Sequence, residues 1–301
     1  MITMVIKHIV ISGGGPTGLL SYGAAKHLAQ QGFWSHETIE TIYGTSVGSL
    51  IGAMLCLKHD WPTLDDYIIK RPWEKVIVDS LEMLELFSCK GVAKLKLLDD
   101  IMRPLLESKD LTLAVTLREF YEHSHISLNV FTVELNAFRK VQMSHTTHPD
   151  LPLMDAIKMS SCVPMLFQPI VRDGCCYIDG GVMVNYPLRE CLEDTQCSPH
   201  EVLGLRNLWS NPNEGIGIQS SLLEYLRFIN LQLVRLVNAT TMASAPPALN
   251  ERVNEVVCCV KPDITPAEWL SIMSDAGQRL AWIEDGIAFA TAFLNDANER
   301  K

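Results

Sequence analysis

The sequence predicts an α/β protein, a three-layer α/β/α sandwich with a mostly parallel central sheet, and three observations predict it. Short apolar strands alternate with segments of helical periodicity along the 301 residues, the pattern of a parallel sheet covered by helices on both faces. Three of its most glycine-rich points, around Gly13, Gly44 and Gly180, each follow an apolar strand, and sites in such sheets lie at the carboxyl ends of strands. No internal repeat, low-complexity tract or Pro/Ser-rich linker divides the chain, so residues 1–301 read as one domain.

The elements follow in order. The first strand, 8–12, ends the segment MITMVIKHIVIS, whose Lys7, His8 and lack of a small-residue cleavage site argue against a secretion signal. The glycines then lead to a helix at 19–31 rich in small residues. A second strand at 38–43 runs into GTSVGS and a helix at 47–57. The segment 61–107 mixes apolar and charged residues at helical spacing, and 61–110 is a candidate cap over the site. Its Trp61, Trp73, Leu81, Met83, Leu84, Leu86 and Phe87 suit the core of a helical layer first, and an acyl pocket or a bilayer contact second. Strands near 127–134 and 139–144, a helix at 153–161 and a strand at 176–178 ending in DGG come next. Residues 200–301 complete the domain with a strand at 202–207, a helix at 218–237, a strand at 255–260 and two C-terminal helices. The first of these opens at TPAE, with Thr265 as cap, Pro266 at the first helical position and Glu268 closing a capping box.

Bulk properties exclude several functions. With 25 Lys and Arg against 35 Asp and Glu, the formal charge is −10, which repels nucleic acid and opposes an electrostatic anchor on anionic lipid. A transient membrane-surface contact would have to be apolar. SLLEYLRFINLQLVRLV is the longest apolar run, but Glu224, Arg227, Asn230 and Arg235 punctuate it, so it reads as an amphipathic helix and not a span. Nine cysteines, an odd count with two adjacent pairs and no C-x-x-C, disfavour disulfide frameworks and zinc ribbons and suit free thiols in the cytoplasm. His123 with His125, and His145 with His148, lack the carboxylate or thiolate company of a metal site. Neither metal nor cofactor is expected. The oligomeric state is not written in the composition.

The chemistry is carried by three short motifs. Gly44-Thr45-Ser46-Val47-Gly48 is a G-x-S-x-G at a strand-to-helix junction, where flanking glycines remove the clashes of a tight elbow and lift the serine hydroxyl clear. Ser46 is the candidate nucleophile. Gly13, Gly15 and Gly18 have the G-x-G-x-x-G spacing of a dinucleotide turn, yet the same backbone N–H groups would hold an oxyanion. For a base, the only histidine beyond residue 148 is His200, in the polar loop CSPHE, which supports a Ser-His-Asp triad poorly. The other candidate is Asp179, at a strand end before Gly180 and Gly181.

In their order, SGGGPTG, GTSVGS and DGGVMVNYP, together with DAIKMSSCVPMLFQPI before the last, resemble the patatin-like phospholipase family over roughly residues 8–190. The resemblance implies an α/β/α fold and a Ser-Asp dyad. Carried over, it makes Ser46 the nucleophile and Asp179 the base. Gly13, Gly14, Gly15 and Val47 then supply oxyanion N–H groups, with Gly18, Gly44, Gly48, Gly180, Gly181, Asn185 and Pro187 as supporting motif positions. The implied activity is calcium-independent, phospholipase A-type hydrolysis of lipid acyl esters. Pro16 and Thr17 depart from the family, many of whose members place a basic residue soon after the glycines, so substrate preference is expected to differ there. Two alternatives stand beside this reading. A Rossmann-type dinucleotide enzyme would need an acidic residue at the end of the second strand, where Glu37 and Glu40 come too early. The other is a lipid-binding protein with an inactive site.

Overall fold

The computed structural model describes residues 5–78, 91–93, 95–209, 216–243, 253–260 and 266–299. Strands β1 (His8–Ile11), β2 (Thr41–Thr45) and β3 (Gly91–Ala93) are followed by β4 (Ser127–Glu134) and β5 (Arg139–Met143). Three short strands, β6 (Met165–Phe167), β7 (Ile170–Arg172) and β8 (Cys175–Asp179), precede β9 (Val202–Trp209) and β10 (Asn254–Val260). The helices are α1 (Gly18–Gln30), α2 (Val47–Cys56), α3 (Trp61–Lys70), α4 (Trp73–Val78) and α5 (Lys96–Glu107). They continue with α6 (Leu117–Ser124), α7 (Leu153–Ser161) and α8 (Leu188–Thr195). The last are α9 (Leu222–Ala243), α10 (Pro266–Ser274) and α11 (Ala276–Glu299).

The main sheet has the order β10-β9-β1-β2-β4-β8-β7, with β5 also on β4, while β3 and β6 pair separately. From β10 to β4 all neighbours are parallel; β5, β7 and β8 are antiparallel to theirs. Alternation along the strands divides the core between two faces. Ile9, Ile11, Ile42, Leu128 and Val130 join the larger cluster with α1 and α2, whereas Val10, Tyr43 and Phe131 pack with Tyr186, Leu188 and Cys191 on the other side. The predicted three-layer α/β/α architecture is the one observed.

One feature of register positions the site. Strand β2 lies along Ser127 to Phe131 of β4, with Thr45 opposite Phe131. Strand β8 runs the other way and places Asp179 opposite Thr132. Because β5 occupies Val130 to Glu134 from β4's other edge, β2 and β8 must share one edge. They run toward each other, and their carboxyl ends abut at neighbouring residues of β4.

Two devices hold the C-terminal helices. A Cβ at Gly23 of α1 would meet the Ile283 carbonyl oxygen of α11 at 2.1 Å, and one at Gly286 would meet the Leu20 oxygen at 2.2 Å. The two backbones therefore approach to a distance that only glycine allows. Beside them Arg279, 2% exposed, donates to the carbonyls of Ile68, Ile69, Arg71 and Met273 at 2.5–3.2 Å. It thus satisfies orphan carbonyls near the C-terminus of α3 with a charge of favourable sign.

The sequence expectations shift at several edges. The second strand occupies Thr41–Thr45, later than 38–43, because Thr38 is drawn into a turn by hydrogen bonds from its hydroxyl to the Ile6 and Ser35 carbonyls. Helix α9 starts at Leu222 and runs to Ala243, not 218–237. Helix α6, unforeseen, carries a full capping box of Thr116 and Glu119, a signal present in the sequence as TLRE. Within 61–110, α3, α4 and α5 are packed into the larger core through Leu64, Ile68, Trp73, Ile101 and Met102. Leu81, Met83, Leu84, Leu86 and Phe87 lie outside the described residues, as does Thr265.

Candidate active site

Ser46 stands between β2 and α2, 6% exposed, at φ 54° and ψ −126°. That left-handed backbone is strained for a serine and is maintained by its surroundings. The Ser46 N–H donates to Ser160 Oγ at 2.8 Å, and Ser160 Oγ–H to the Phe131 carbonyl at 2.5 Å. The Ser46 carbonyl accepts from the Ser49 N–H at 2.9 Å and the Ser49 hydroxyl at 2.6 Å. The elbow is too tight for side chains on either flank. A Cβ at Gly44 would lie 2.5 Å from the Gly48 oxygen, and one at Gly48 would lie 2.3 Å from the Ile11 oxygen.

Asp179 ends β8 and is 5% exposed. Its N–H donates to the Cys162 carbonyl, and its Oδ1 accepts the Gly181 N–H at 2.6 Å. Oδ2 is buried with no hydrogen-bond partner. Burial pushes the carboxyl pKa up to about 6, with the Ser46 side chain and the Gly181 N–H pulling the other way. Gly180 lies over β4, where a Cβ would come within 2.1 Å of the Phe131 oxygen and 3.0 Å of the Thr45 methyl group. The Ser46 side chain and the Asp179 carboxyl therefore meet across the strand junction.

The glycine turn forms the third wall. A Cβ at Gly13 would lie 3.2 Å from the Ser46 Cβ, so the turn adjoins Ser46. The Gly13 N–H is already engaged, donating to the Asn185 carbonyl at 2.9 Å. Gly14 and Gly15 adopt φ 151° and 60°, and the ring of Trp269 from α10 covers Gly15. Gly18 packs on Val47, which opens α2. Pro16 and Thr17 are buried, and the Thr17 hydroxyl donates to the Gly14 carbonyl at 3.1 Å. Pro16 and Thr17 thus shape the turn from inside and do not line an open surface.

Residues weighed for other chemistries lie elsewhere. His200 precedes β9, and Glu40, which pairs with Lys7 at 3.7 Å, precedes β2. Both are at the amino ends of parallel strands, the opposite end of the sheet from Ser46. Sequence reasoning missed Ser160, Trp269 and Asn238. Asn238 of α9 accepts the Asn185 N–H at 3.0 Å and donates to the Gly181 carbonyl at 2.9 Å; no local pattern marks it.

Comparison with known proteins agrees with the motif order. A family model described as patatin-like phospholipase matches residues 9–192. An uncharacterized protein of Acanthamoeba polyphaga mimivirus is 28% identical over 188 residues, covering 61% of this chain and 60% of that protein. A probable lipid hydrolase of Invertebrate iridescent virus 6 is 25% identical over 185 residues, covering 60% of this chain and 62% of that protein. The chain thus spans about three fifths of the length of the curated relatives it matches. Among solved structures, VipD from Legionella pneumophila has a TM-score of 0.55 at 15% identity, over 97% of this chain and 67% of that one, a likeness of fold.

Proposed function

The chain belongs to the patatin-like phospholipase family, and from that premise we propose that it hydrolyses acyl esters of lipids with Ser46 as nucleophile and Asp179 as base. The observation that carries the reading is Asp179 Oδ2, a buried carboxylate oxygen with no hydrogen bond beside the strained Ser46. An acceptor left open in this way costs stability unless it has a proton to receive.

In the proposed cycle Ser46 Oγ attacks the ester carbonyl carbon while its proton passes to Asp179. The carbonyl oxygen becomes an oxyanion and accepts from the N–H groups of Gly14, Gly15 and Val47, each worth about a hundredfold or more in rate. The Gly13 N–H, occupied by Asn185, serves instead to hold the turn. The intermediate collapses to an acyl-enzyme as the alcohol leaves with the proton from Asp179. Water then gives its proton to Asp179 and attacks the acyl carbon; collapse releases the fatty acid and returns the proton to Ser46. A carboxyl pKa of about 6 suits a base that must accept and return a proton near neutrality.

The lipid surface itself is proposed to meet α9. Leu222, Tyr225, Leu226 and Leu233 are exposed along it, while the formal charge of −10 favours a zwitterionic over an anionic bilayer. No helix among the described residues is long and apolar enough to cross a membrane. The described cysteines are free thiols, which fits a reducing compartment such as the cytoplasm.

The test is covalent labelling with a fluorophosphonate probe alongside hydrolysis of a lipid panel. Labelling is expected at Ser46 and is expected to vanish in Ser46→Ala. A wild-type protein that is neither labelled nor active would leave only the lipid-binding alternative.

A further inference from the structure

We propose that Asn238, on α9, is a positioning residue that sets the spacing between the Asp179 loop and the glycine turn. The proposal rests on the hydrolase reading above. Asn238 touches neither Ser46 nor the Asp179 carboxylate, yet it joins the two walls of the site through a continuous run of bonds. Its Nδ2 donates to the Gly181 carbonyl at 2.9 Å, and the Gly181 N–H donates to Asp179 Oδ1 at 2.6 Å. Its Oδ1 accepts the Asn185 N–H at 3.0 Å, and the Asn185 carbonyl accepts the Gly13 N–H at 2.9 Å.

The chemistry requires a carboxamide. One side chain must accept through one atom and donate twice through another, which a carboxamide does and a single hydroxyl or an ionised carboxylate does not. A second donation from Nδ2 to the Val234 carbonyl at 2.8 Å ties the amide to its own helix and fixes its orientation. The flipped amide would set Nδ2 against the Asn185 N–H and Oδ1 against two carbonyl oxygens. The Asn185 side chain fills the space between the walls: Cβ atoms at Gly13 and Gly181 would lie 2.6 and 2.9 Å from its Oδ1. The packing leaves no slack, so a shift of Asn185 moves both the base and the oxyanion turn. Through Asn238 the placement of α9, on which Leu222, Leu226, Leu233 and Leu236 are exposed, is connected to the proposed dyad.

The experiment compares wild type, Asn238→Leu and Asn238→Asp on a soluble short-chain ester, with thermal melts to confirm folding. Asn238→Leu is expected to lower kcat by about 10- to 100-fold, the scale of ångström misplacement at a reacting centre, with KM changed less than about threefold. Asn238→Asp keeps the acceptor for Asn185, loses the donor to Gly181 and adds a negative charge near Asp179. Its kcat should fall, and the acid limb of its pH profile should move upward, which loss of packing alone would not cause. Asn238→Asp decides the matter if Asn238→Leu does not fold. Wild-type kcat together with an unmoved acid limb in folded Asn238→Asp would overturn the positioning role while leaving a labelled Ser46, and hence the hydrolase reading, intact. Absence of labelling in the wild type would overturn both.

Discussion

Arg279 and Asp179 are both buried and both charged at their ordinary ionisation, yet the protein treats them in opposite ways. Arg279, 2% exposed, finds four backbone carbonyls for its guanidinium. Asp179, 5% exposed, finds one N–H for Oδ1, no well-formed hydrogen bond for Oδ2, and beyond these only the pull of the Ser46 side chain. The first arrangement ties α3, α10 and α11 together and uses each guanidinium nitrogen as a donor. The second leaves an acceptor open, at a cost that shows as a carboxyl pKa of about 6. A buried charge that is fully bonded holds structure, whereas one left short of partners is available for chemistry.

The contrast can be broken from either side. The largest effect is expected from Asp179→Asn, which removes the proposed base while keeping an acceptor for Gly181: ester hydrolysis should fall by about 10⁴-fold, measured as kcat/KM on a short-chain ester. Next is Arg279→Met, which removes a buried donor from four carbonyls, of which those of Ile68 and Arg71 keep a hydrogen bond from Trp73. It should destabilise the protein by about 3–5 kcal/mol in urea unfolding, while activity per folded molecule stays near wild type at low temperature. Similar loss of activity and stability in both variants would erase the distinction drawn between the two sites.

A third prediction runs opposite to intuition. Asp179 has a folded pKa of about 6 against an ordinary 3.8, so its protonated form is the one the fold favours. The associated stability is full below pH about 4 and is lost as pH rises toward 6 and beyond. Asp179→Asn should therefore be more stable than wild type at pH 7, by up to about 3 kcal/mol at 1.36 kcal/mol per pH unit, with the difference vanishing near pH 4. Denaturant midpoints at the two pH values check it; a destabilised variant at pH 7 would contradict the open-acceptor account. The same titration predicts that kcat/KM falls about tenfold per pH unit below 6 in wild type. The smallest effect belongs to α9. Leu226→Glu with Leu233→Glu should weaken binding to phosphatidylcholine vesicles by about 10-fold while hydrolysis of a soluble ester is unchanged.

Much of the fold was legible because its signals are short-range. Strands β4 and β9 begin where their apolar runs begin, at Ser127 and Val202. Helix α7 covers the expected 153–161, and β1 ends just before its glycine turn. Ser46 could be singled out because G-x-S-x-G completes its geometric requirement within a few residues, whereas Asp179 stood out only through the order of the three motifs and the family resemblance they carry. What was hidden depends on contacts across the chain. Glu190, inside α8, is 5% exposed and paired with Lys140 at 2.6 Å, a burial no local pattern announces. Trp269 reads as one apolar residue of a C-terminal helix until the fold sets its ring on Gly15.

The sequence by itself determined the α/β/α class, the mostly parallel order of strands and helices, and the identity of the serine and aspartate at strand ends. These follow from periodicity and from backbone conformations that only certain residues permit. The tertiary structure decided that β2 and β8 abut on one edge of β4, that Gly13 gives its N–H to Asn185, that Asn238 spans the two walls, and which buried charge is satisfied. Strand register and hydrogen-bond partners over separations of fifty to two hundred residues are set by the packing of the whole core, and no local stretch of sequence contains that information.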